Sequence, residues 1–301
     1  MQIFYSDQFV FPLPQGHRFP IQKYALLRQR VMEHRQGNST ELRVPPAAHD
    51  RELLRAHRED YVHKVAAGAL SEKEIRRIGF PWSPELVERS RRSVGGTISA
   101  CRTALTDGLA SNLAGGTHHA YADHGEGFCV FNDAAVAARA IQAEGLAHRI
   151  VILDCDVHQG NGTASIFQDD TSVFTFSIHG AKNFPFHKEN SDLDVALDDE
   201  AEDEAYLDAL QPALQNALDR SMAELAIYIA GADPFAGDRL GRLCLTKSGL
   251  AQRDSMVFDF CRRKGLPVAT VMGGGYAKDV KDTVEIHFKT IQLALEYSRK
   301  E

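Results

Sequence analysis

Asp154, Asp156 and His158 recur at every second position directly after the apolar run Val151-Ile152-Leu153. Such a β-branched run reads as a strand buried on both faces. In an extended chain, residues i, i+2 and i+4 share one face. Two carboxylates and an imidazole therefore converge at the end of a central strand, just before the turn Gly160-Asn161-Gly162. A cluster of that kind is costly to desolvate unless something neutralises it. A divalent metal does so, and Asp156, His158 and the later Asp233 are the ligands the pattern offers. Three protein ligands with an open position fit a catalytic Zn2+ better than a structural one. The same oxygen and nitrogen donors also suit Fe2+ or Co2+. The competing reading makes these acids ordinary turn residues, which accommodates Asp233 alone more easily than all three together.

Other residues around this centre carry chemistry of their own. His118-His119 follows Gly115-Gly116. Adjacent histidines point to different sides, so they read as two bases, each oriented by its own partner. Asp154, spare as a ligand, is available to orient one, and Asn161 the other. Gly273-Gly274-Gly275-Tyr276 is a turn that delivers a phenol, and a phenol can donate to an oxyanion. In Gly125-Glu126-Gly127-Phe128-Cys129, Phe128 is placed to line a groove and Gly127 to expose its carbonyl. Cys129 and Cys155 have no basic neighbour in sequence and read as packing residues. His57, Tyr61 and His63 read as structural or solvated.

These residues need elements to hold them. A short strand is expected at Ile3 to Ser6, a helix from Ile21 to His34 ended by Gly37-Asn38, and another helix from Leu53 to Val65. Ser83-Pro84-Glu85 combines an N-cap, a first-turn proline and a first-turn acid, and starts a helix running to about Leu105. Asn112 to Gly116 reads as a strand, and Asn132-Asp133 caps an alanine-rich helix ending at Gly145. Ser172 to Ile178, Ala226 to Ala230 and Pro267 to Met272 read as strands. Tyr206, Leu207, Leu210, Leu214 and Leu218 recur at helical spacing, and Ser248 opens a helix closing at Gly265. A final helix ends the chain. Strands alternate with helices, which implies an α/β fold: a mainly parallel sheet with helices on both faces. Each polar cluster follows a strand, where open parallel sheets bind ligands. No linker interrupts the pattern, so residues 1–301 read as a single domain.

Composition narrows the classes. The chain has 301 residues, 44% of them apolar, enough for a sizeable core. Its net charge of −7 argues against a dedicated nucleic-acid or anionic-membrane surface and is compatible with cationic substrates. Five cysteines without CxxC spacing read as reduced thiols of a cytoplasmic protein. The start, Met1 to Asp7, lacks the basic and long apolar regions of a secretory signal, and no run is long enough to span a bilayer. Nothing in the composition bears on oligomeric state.

Five motifs, in order along nearly the whole chain, resemble the zinc-dependent histone deacetylase superfamily. They are Gly115-Gly116-Thr117-His118-His119, Gly127-Phe128-Cys129-Val130-Phe131-Asn132-Asp133, Asp154 through Thr163, Gly231-Ala232-Asp233 and Gly273-Gly274-Gly275-Tyr276. Gly237-Asp238-Arg239-Leu240-Gly241, with Ser248-Gly249-Leu250 and Arg253-Asp254, most resembles the class IV branch and its bacterial relatives. The resemblance implies the arginase-like α/β fold and hydrolysis of an acyl-lysine or related acyl-amine amide. It implies that Asp156, His158 and Asp233 hold zinc, that His118 and His119 are the tandem catalytic histidines, and that Tyr276 stabilises the oxyanion. Asp154 matches the acid that pairs with the first histidine. Asn161 stands where many relatives have an aspartate beside the second, and this neutral partner favours His119 as the base. Phe128 and Phe184 resemble the walls of the substrate tunnel. Asp154, Asp156, His158, Ser177 and Ile178 resemble a K+ or Na+ site. One region departs: where many relatives have an acid that grips the substrate backbone, Gly79-Phe80-Pro81-Trp82 has none, which counts against recognition of a histone tail.

The expected activity is thus metal-dependent removal of an acyl group, acetyl or longer, from lysine side chains of a protein or peptide or from related amines. Which histidine returns the proton to the amine stays open. Longer acyl groups are expected because Ala114-Gly115-Gly116 and Gly273-Gly274-Gly275 would leave volume beneath the metal. The alternatives are an acetylpolyamine or small-molecule deacetylase, a binuclear manganese ureohydrolase and a non-catalytic acyl-lysine binder.

Overall fold

The computed structural model describes residues 1–34 and 40–298. Eight strands form one sheet in which every pairing is parallel. They are β1 (Gln2–Phe4), β2 (Glu41–Arg43), β3 (Leu109–Asn112), β4 (Ile150–Asp154), β5 (Val173–Gly180), β6 (Leu193–Leu197), β7 (Leu225–Ala230) and β8 (Val268–Met272). Their spatial order is β2-β1-β3-β8-β7-β4-β5-β6. The helices between them are α1 (Gln22–Glu33), α2 (Asp50–Leu53), α3 (Glu59–Ala67), α4 (Glu72–Ile78), α5 (Pro84–Asp107), α6 (Asp133–Ala143), α7 (Asn161–Phe167), α8 (Asp203–Ser221), α9 (Lys247–Arg263) and α10 (Val280–Tyr297). None of these helices is long and apolar enough to cross a membrane.

The alternation within the central strands builds two cores. Ile150, Ile152, Ile227, Ile229 and Val271 join Val94, Ile98, Val136 and Ile141 on one face. Val151, Leu153, Tyr228 and Val268 join Leu210, Leu214, Val257 and Phe258 on the other. Both faces are covered, so these strands are apolar throughout, as parallel strands are. Because all strands run the same way, the segments after β3, β4, β7 and β8 emerge at one edge of the sheet.

Several elements differ from the sequence expectation, for identifiable reasons. The helix expected from Leu53 to Val65 is two helices, α2 and α3. Between them the Arg58 N–H donates to Ala122 O at 2.7 Å instead of continuing a helical ladder. β3 stops at Asn112, where the expected strand begins, because Gly115 and Gly116 take positive φ values of 90° and 65°. The central strand likewise ends at Asp154. There the carboxylates capture backbone donors: Asp156 N–H to Asp154 Oδ1 at 3.1 Å, and His158 N–H to Asp156 Oδ1 at 2.9 Å. Such local bonds compete with the ladder and bend the chain out of the sheet. Asp154, Asp156 and His158 therefore meet around a bend, not along one strand face. The Gly160-Asn161-Gly162 turn is the start of α7. α9 is capped by Thr246, whose side chain accepts from Gly249 N–H, and not by Ser248. Short β2 at one sheet edge, and α4 with its Ser71–Glu74 capping box, carry too few apolar residues to be read from periodicity, while β6 at the other edge turns Leu193, Val195 and Leu197 toward the core over only five residues. Gly37-Asn38 lies outside the described residues.

Candidate active site

Asp156, His158 and Asp233 are buried, and one ligand atom from each lies within 4.8 Å of the others. His158 Nδ1 is 2.9 Å from Asp156 Oδ1 and 3.2 Å from Asp233 Oδ2. Asp233 Oδ2 is buried and, apart from that His158 ion-pair contact, makes no well-aligned hydrogen bond among the described residues. A carboxylate oxygen left without a good hydrogen bond in the interior is costly. The electrostatics show the same tension. Burial, then the neighbouring Asp156, pushes the Asp233 carboxyl up to about 7. Burial opposes a charge on His158, but the two carboxylates prevail and hold it up at about 10. A divalent cation supplies the missing partner and relieves the crowded negative charge, so the residues present fit one.

Two loops are pinned around this cluster. The Asp133 carboxylate accepts from the N–H groups of Gly116 and Thr117 at 3.2 and 2.7 Å and from two threonine hydroxyls. It fixes the approach to His118-His119. Arg253, fully buried, donates to Cys155 O at 3.1 Å and Gly231 O at 2.6 Å, the carbonyls one residue before Asp156 and two before Asp233. Asp254 balances its charge at 2.8 Å. Gly274 lies so close that a Cβ there would sit 1.9 Å from Asp233 Oδ2.

The adjacent histidines do not diverge as alternation predicts. They lie in a turn after the positive-φ glycines, with ring centroids 4.2 Å apart. Their partners are those expected: His118 Nδ1 is 2.6 Å from Asp154 Oδ2, and His119 Nδ1 is 2.6 Å from Asn161 Oδ1. Burial opposes a charge on His118, but Asp154 and Asp156 outweigh it and raise the pKa to about 9. Asp154 is itself raised by burial, so the pair holds a proton firmly. His119 goes the other way: burial, then the neighbouring His118 and His158, push it well below the usual range. Asn161 Nδ2 donates to Tyr121 Oη at 3.0 Å, and Tyr121 in turn donates to Glu189 at 3.1 Å. That chain leaves Oδ1 to accept from His119 Nδ1, so Nε2 of the neutral ring is free to take a proton.

A cavity of about 680 Å³ opens onto His119, His158 and Tyr276, with Gly127, Phe128 and Phe184 among its walls. Burial, then Asp233 and Asp156, keep the Tyr276 phenol protonated far above its ordinary pKa, so it is a donor. Asp238 holds the Tyr276 backbone N–H at 2.6 Å. Phe128 has a φ of 66°, unusual for an aromatic residue, and its N–H is anchored to Ile78 O at 2.7 Å. Gly127, with a φ of 55°, passes so near His119 that a Cβ would stand 2.7 Å from the ring. The Gly127 carbonyl accepts from Cys129 Sγ at 3.4 Å, so the residue serves close approach more than carbonyl exposure.

Ser177 sits beside Asp154 in the sheet register, followed by Ile178, with Ser177 Oγ 2.9 Å from His179 Nδ1. Burial raises the thiol pKa values of Cys129 and Cys155, as packing residues require. His57 and Tyr61 are structural too, bonding Tyr121 O at 2.9 Å and Val130 O at 2.7 Å, while His63 is exposed.

Three features go against or beyond the sequence reading. The mouth is basic, not acidic, despite the net charge of −7. The glycine runs leave no volume by being small: a Cβ on Gly116 would stand 2.7 Å from Gly273, and one on Gly273 would stand 2.9 Å from Gly231. Phe19 and Phe80 pack on Phe128, at 5.4 and 5.2 Å between ring centroids. Neither Phe19 nor Phe80 is singled out by the sequence reading as part of this wall.

A fully parallel sheet, with acids and histidines gathered at its carboxyl edge around one buried cluster, defines an α/β enzyme of the arginase and deacetylase type. An HDAC homolog from Aquifex aeolicus superposes with a TM-score of 0.84 over 100% of this chain and 84% of that chain, at 23% identity, a likeness of fold. The histone deacetylase domain profile matches residues 17–291. An uncharacterized protein of Picosynechococcus is 46% identical over 285 residues, 95% of each chain. Histone deacetylase 2 of Arabidopsis thaliana is 32% identical over 248 residues, 78% of this chain and 64% of that protein. This chain belongs to the histone deacetylase family and is a hydrolase of the deacetylase class.

Proposed function

We propose that the chain, acting over residues 1–301 as one cytoplasmic catalytic domain, is a mononuclear metal-dependent deacylase of lysine side chains in polypeptides. The observation that carries this reading is the buried Asp156, His158 and Asp233 cluster, whose Asp233 Oδ2 makes no well-aligned hydrogen bond, at the end of a cavity that also reaches His119 and Tyr276. Zinc is the ion we assign, with Fe2+ or Co2+ as the alternatives the donor set admits. A bound ion supplies Lewis acidity to the amide carbonyl and to water.

The chain's own residues do the rest. His119 Nε2 takes the proton of water as its oxygen bonds to the amide carbon. The Tyr276 hydroxyl donates to the oxyanion that forms. The C–N bond breaks as a proton reaches the amine, and His119, which lines the cavity, returns it. His118 is absent from the lining, and Asp154 holds its proton, so it contributes charge and orientation. Phe128 and Phe184 wall the lysine methylenes. Asp154 with Ser177 is the place we assign to K+ or Na+, on the family pattern. Five free cysteines, four of them buried, support a reducing compartment.

The alternatives fare worse. A cationic polyamine meets like charge at the mouth. A binuclear site needs more carboxylates than the one ligand group among the described residues provides. A binder needs neither the oriented His119 nor Tyr276. The test is turnover of an acetyl-lysine peptide against an acetylated polyamine, after stripping and restoring metal. Polyamine turnover faster than peptide turnover, or two ions per chain, would sink this reading.

A further inference from the structure

The cavity mouth carries six cations, Arg18, Arg76, Arg77, Lys182, Arg239 and Arg242, against one carboxylate, Glu126. Some are matched. Arg76 pairs with Glu72 at 3.2 Å, and Arg242 and Lys182 share Asp199 at 2.5 and 3.8 Å. Arg18, Arg77 and Arg239 have no carboxylate partner among the described residues. All three are exposed.

Their placement is built. The Arg239 guanidinium donates to Tyr276 O at 2.9 Å and to Arg18 O at 3.3 Å. Those neutral acceptors fix it beside the phenol without cancelling its charge. The Arg77 carbonyl accepts from Gly127 N–H at 3.2 Å, and Gly127 abuts His119. The Arg239 charge is therefore held next to the tyrosine wall, and the Arg77 backbone next to the histidine wall, with both side chains lining the mouth. Like charges gathered this way repel one another, in a chain whose overall sign is opposite. An anionic ligand relieves that repulsion.

Resting on the deacylase reading, we propose that the mouth binds acidic side chains flanking the acyl-lysine of a polypeptide substrate. An acyl-lysine that reaches His119 and Tyr276 leaves its own backbone at the mouth. The residues just before and after it then lie against Arg18, Arg77 and Arg239. The surface does for flanking residues what an acidic loop does in many relatives, with the sign reversed: Gly79-Phe80-Pro81-Trp82 has no acid to grip a backbone N–H. A polynucleotide meets the same charge but has no acylated side chain to fill the cavity.

Exposed ion pairs are individually weak, and three acting on one acidic segment give about a tenfold gain in affinity. The test uses the metal-loaded full chain, carrying Tyr276→Phe to slow turnover, and fluorescence anisotropy of a labelled acetyl-lysine peptide. Three versions differ only in having Glu, Gln or Lys two and three residues either side of the acetyl-lysine. The Glu peptide should bind about tenfold more tightly than the Gln peptide, and the Lys peptide most weakly. The advantage should vanish in about 0.5 M salt. Arg18→Gln with Arg77→Gln should bring the Glu peptide close to the Gln peptide. Equal binding of the Glu and Gln peptides overturns the proposal. So does a single-stranded DNA of matching charge that binds as tightly as the Glu peptide. Turnover of the Gln peptide by the unsubstituted chain is followed in parallel. Turnover without a Glu advantage removes this proposal and leaves the deacylase reading; a Glu advantage in binding without turnover of any peptide does the reverse.

Discussion

Asn161 Oδ1 stands 2.6 Å from His119 Nδ1, and the Asn161 amide nitrogen is committed to Tyr121. A neutral amide thus orients a buried imidazole without supplying it a countercharge. Asn161→Asp keeps the acceptor and adds a negative charge, which raises the pKa of His119. For a catalytic base, that moves the acid limb of the kcat/KM profile to higher pH, by about one unit or more. The pH–rate profiles of the two proteins check it. An unmoved acid limb would mean that His119 is not the base that limb reports.

Tyr276 is expected to act in the transition state more than in substrate binding, because a hydrogen bond to a developing oxyanion is stronger than one to a neutral carbonyl. Tyr276→Phe should lower kcat by about 10²-fold or more with little change in KM. Steady-state kinetics on an acetyl-lysine peptide decide it. A raised KM at near-normal kcat would make the tyrosine a wall residue.

His158→Ala should abolish metal retention together with activity, since it removes the one nitrogen donor of the cluster. The measurement is metal content by mass spectrometry after dialysis. A variant that keeps a full complement of metal would strike His158 from the ligand set.

His57 predicts a pH dependence of stability. Burial depresses its pKa to about 4 from 6.5, and its ring serves two neutral roles, bonding Tyr121 O and accepting from Asn132 N–H at 2.9 Å. Between those values the unfolded chain takes up a proton that the folded chain refuses. The contribution is therefore full above pH 6.5 and is lost as pH falls toward 4, reaching about 3 kcal/mol. Urea unfolding at neutral and mildly acid pH, for the parent and His57→Gln, isolates this part of the slope. Equal slopes would remove His57 as its source.

Acyl-chain length gives a further test. The glycines of the two runs are packed against neighbouring backbone and side chains, so their small size opens no space beneath the cluster. Lengthening the acyl group from acetyl to octanoyl should therefore bring no gain in kcat/KM. A gain of more than tenfold, which a few buried methylenes could supply, would contradict this.

Much of this site was legible because its chemistry is written in short local motifs. That Asp154 and Asn161 orient the two histidines followed from residue types, as did the metal cluster, while the pairing of His118 with Asp154 and of His119 with Asn161 came from the family resemblance. What the sequence concealed was the path of the backbone. Counting by twos assumed that β4 continues to His158, but the side chains of Asp154 and Asp156 take up the N–H groups that an extended strand would offer its neighbour. The same assumption sent the rings of His118 and His119 to opposite sides. β2 and α4 were missed because short, half-exposed elements carry little hydrophobic periodicity, and β6 because its alternation of Leu193, Val195 and Leu197 lasts only five residues. The sign of the mouth was hidden because net charge averages over the whole surface. Arg18, Arg77 and Arg239 come from three distant segments that only the fold brings together.

Arg253 belongs to α9, far along the chain from β4, yet its guanidinium clasps the Cys155 and Gly231 carbonyls that precede Asp156 and Asp233. The spacing of the donor atoms is thus a property of the folded polypeptide itself. An ion entering late meets a finished receptacle and has no chain to organise. A rigid set of two carboxylates and an imidazole discriminates weakly among small divalent ions of similar radius. On the metal-dependent reading proposed above, which ion occupies the site then becomes a matter of supply, decided by the ions its surroundings offer.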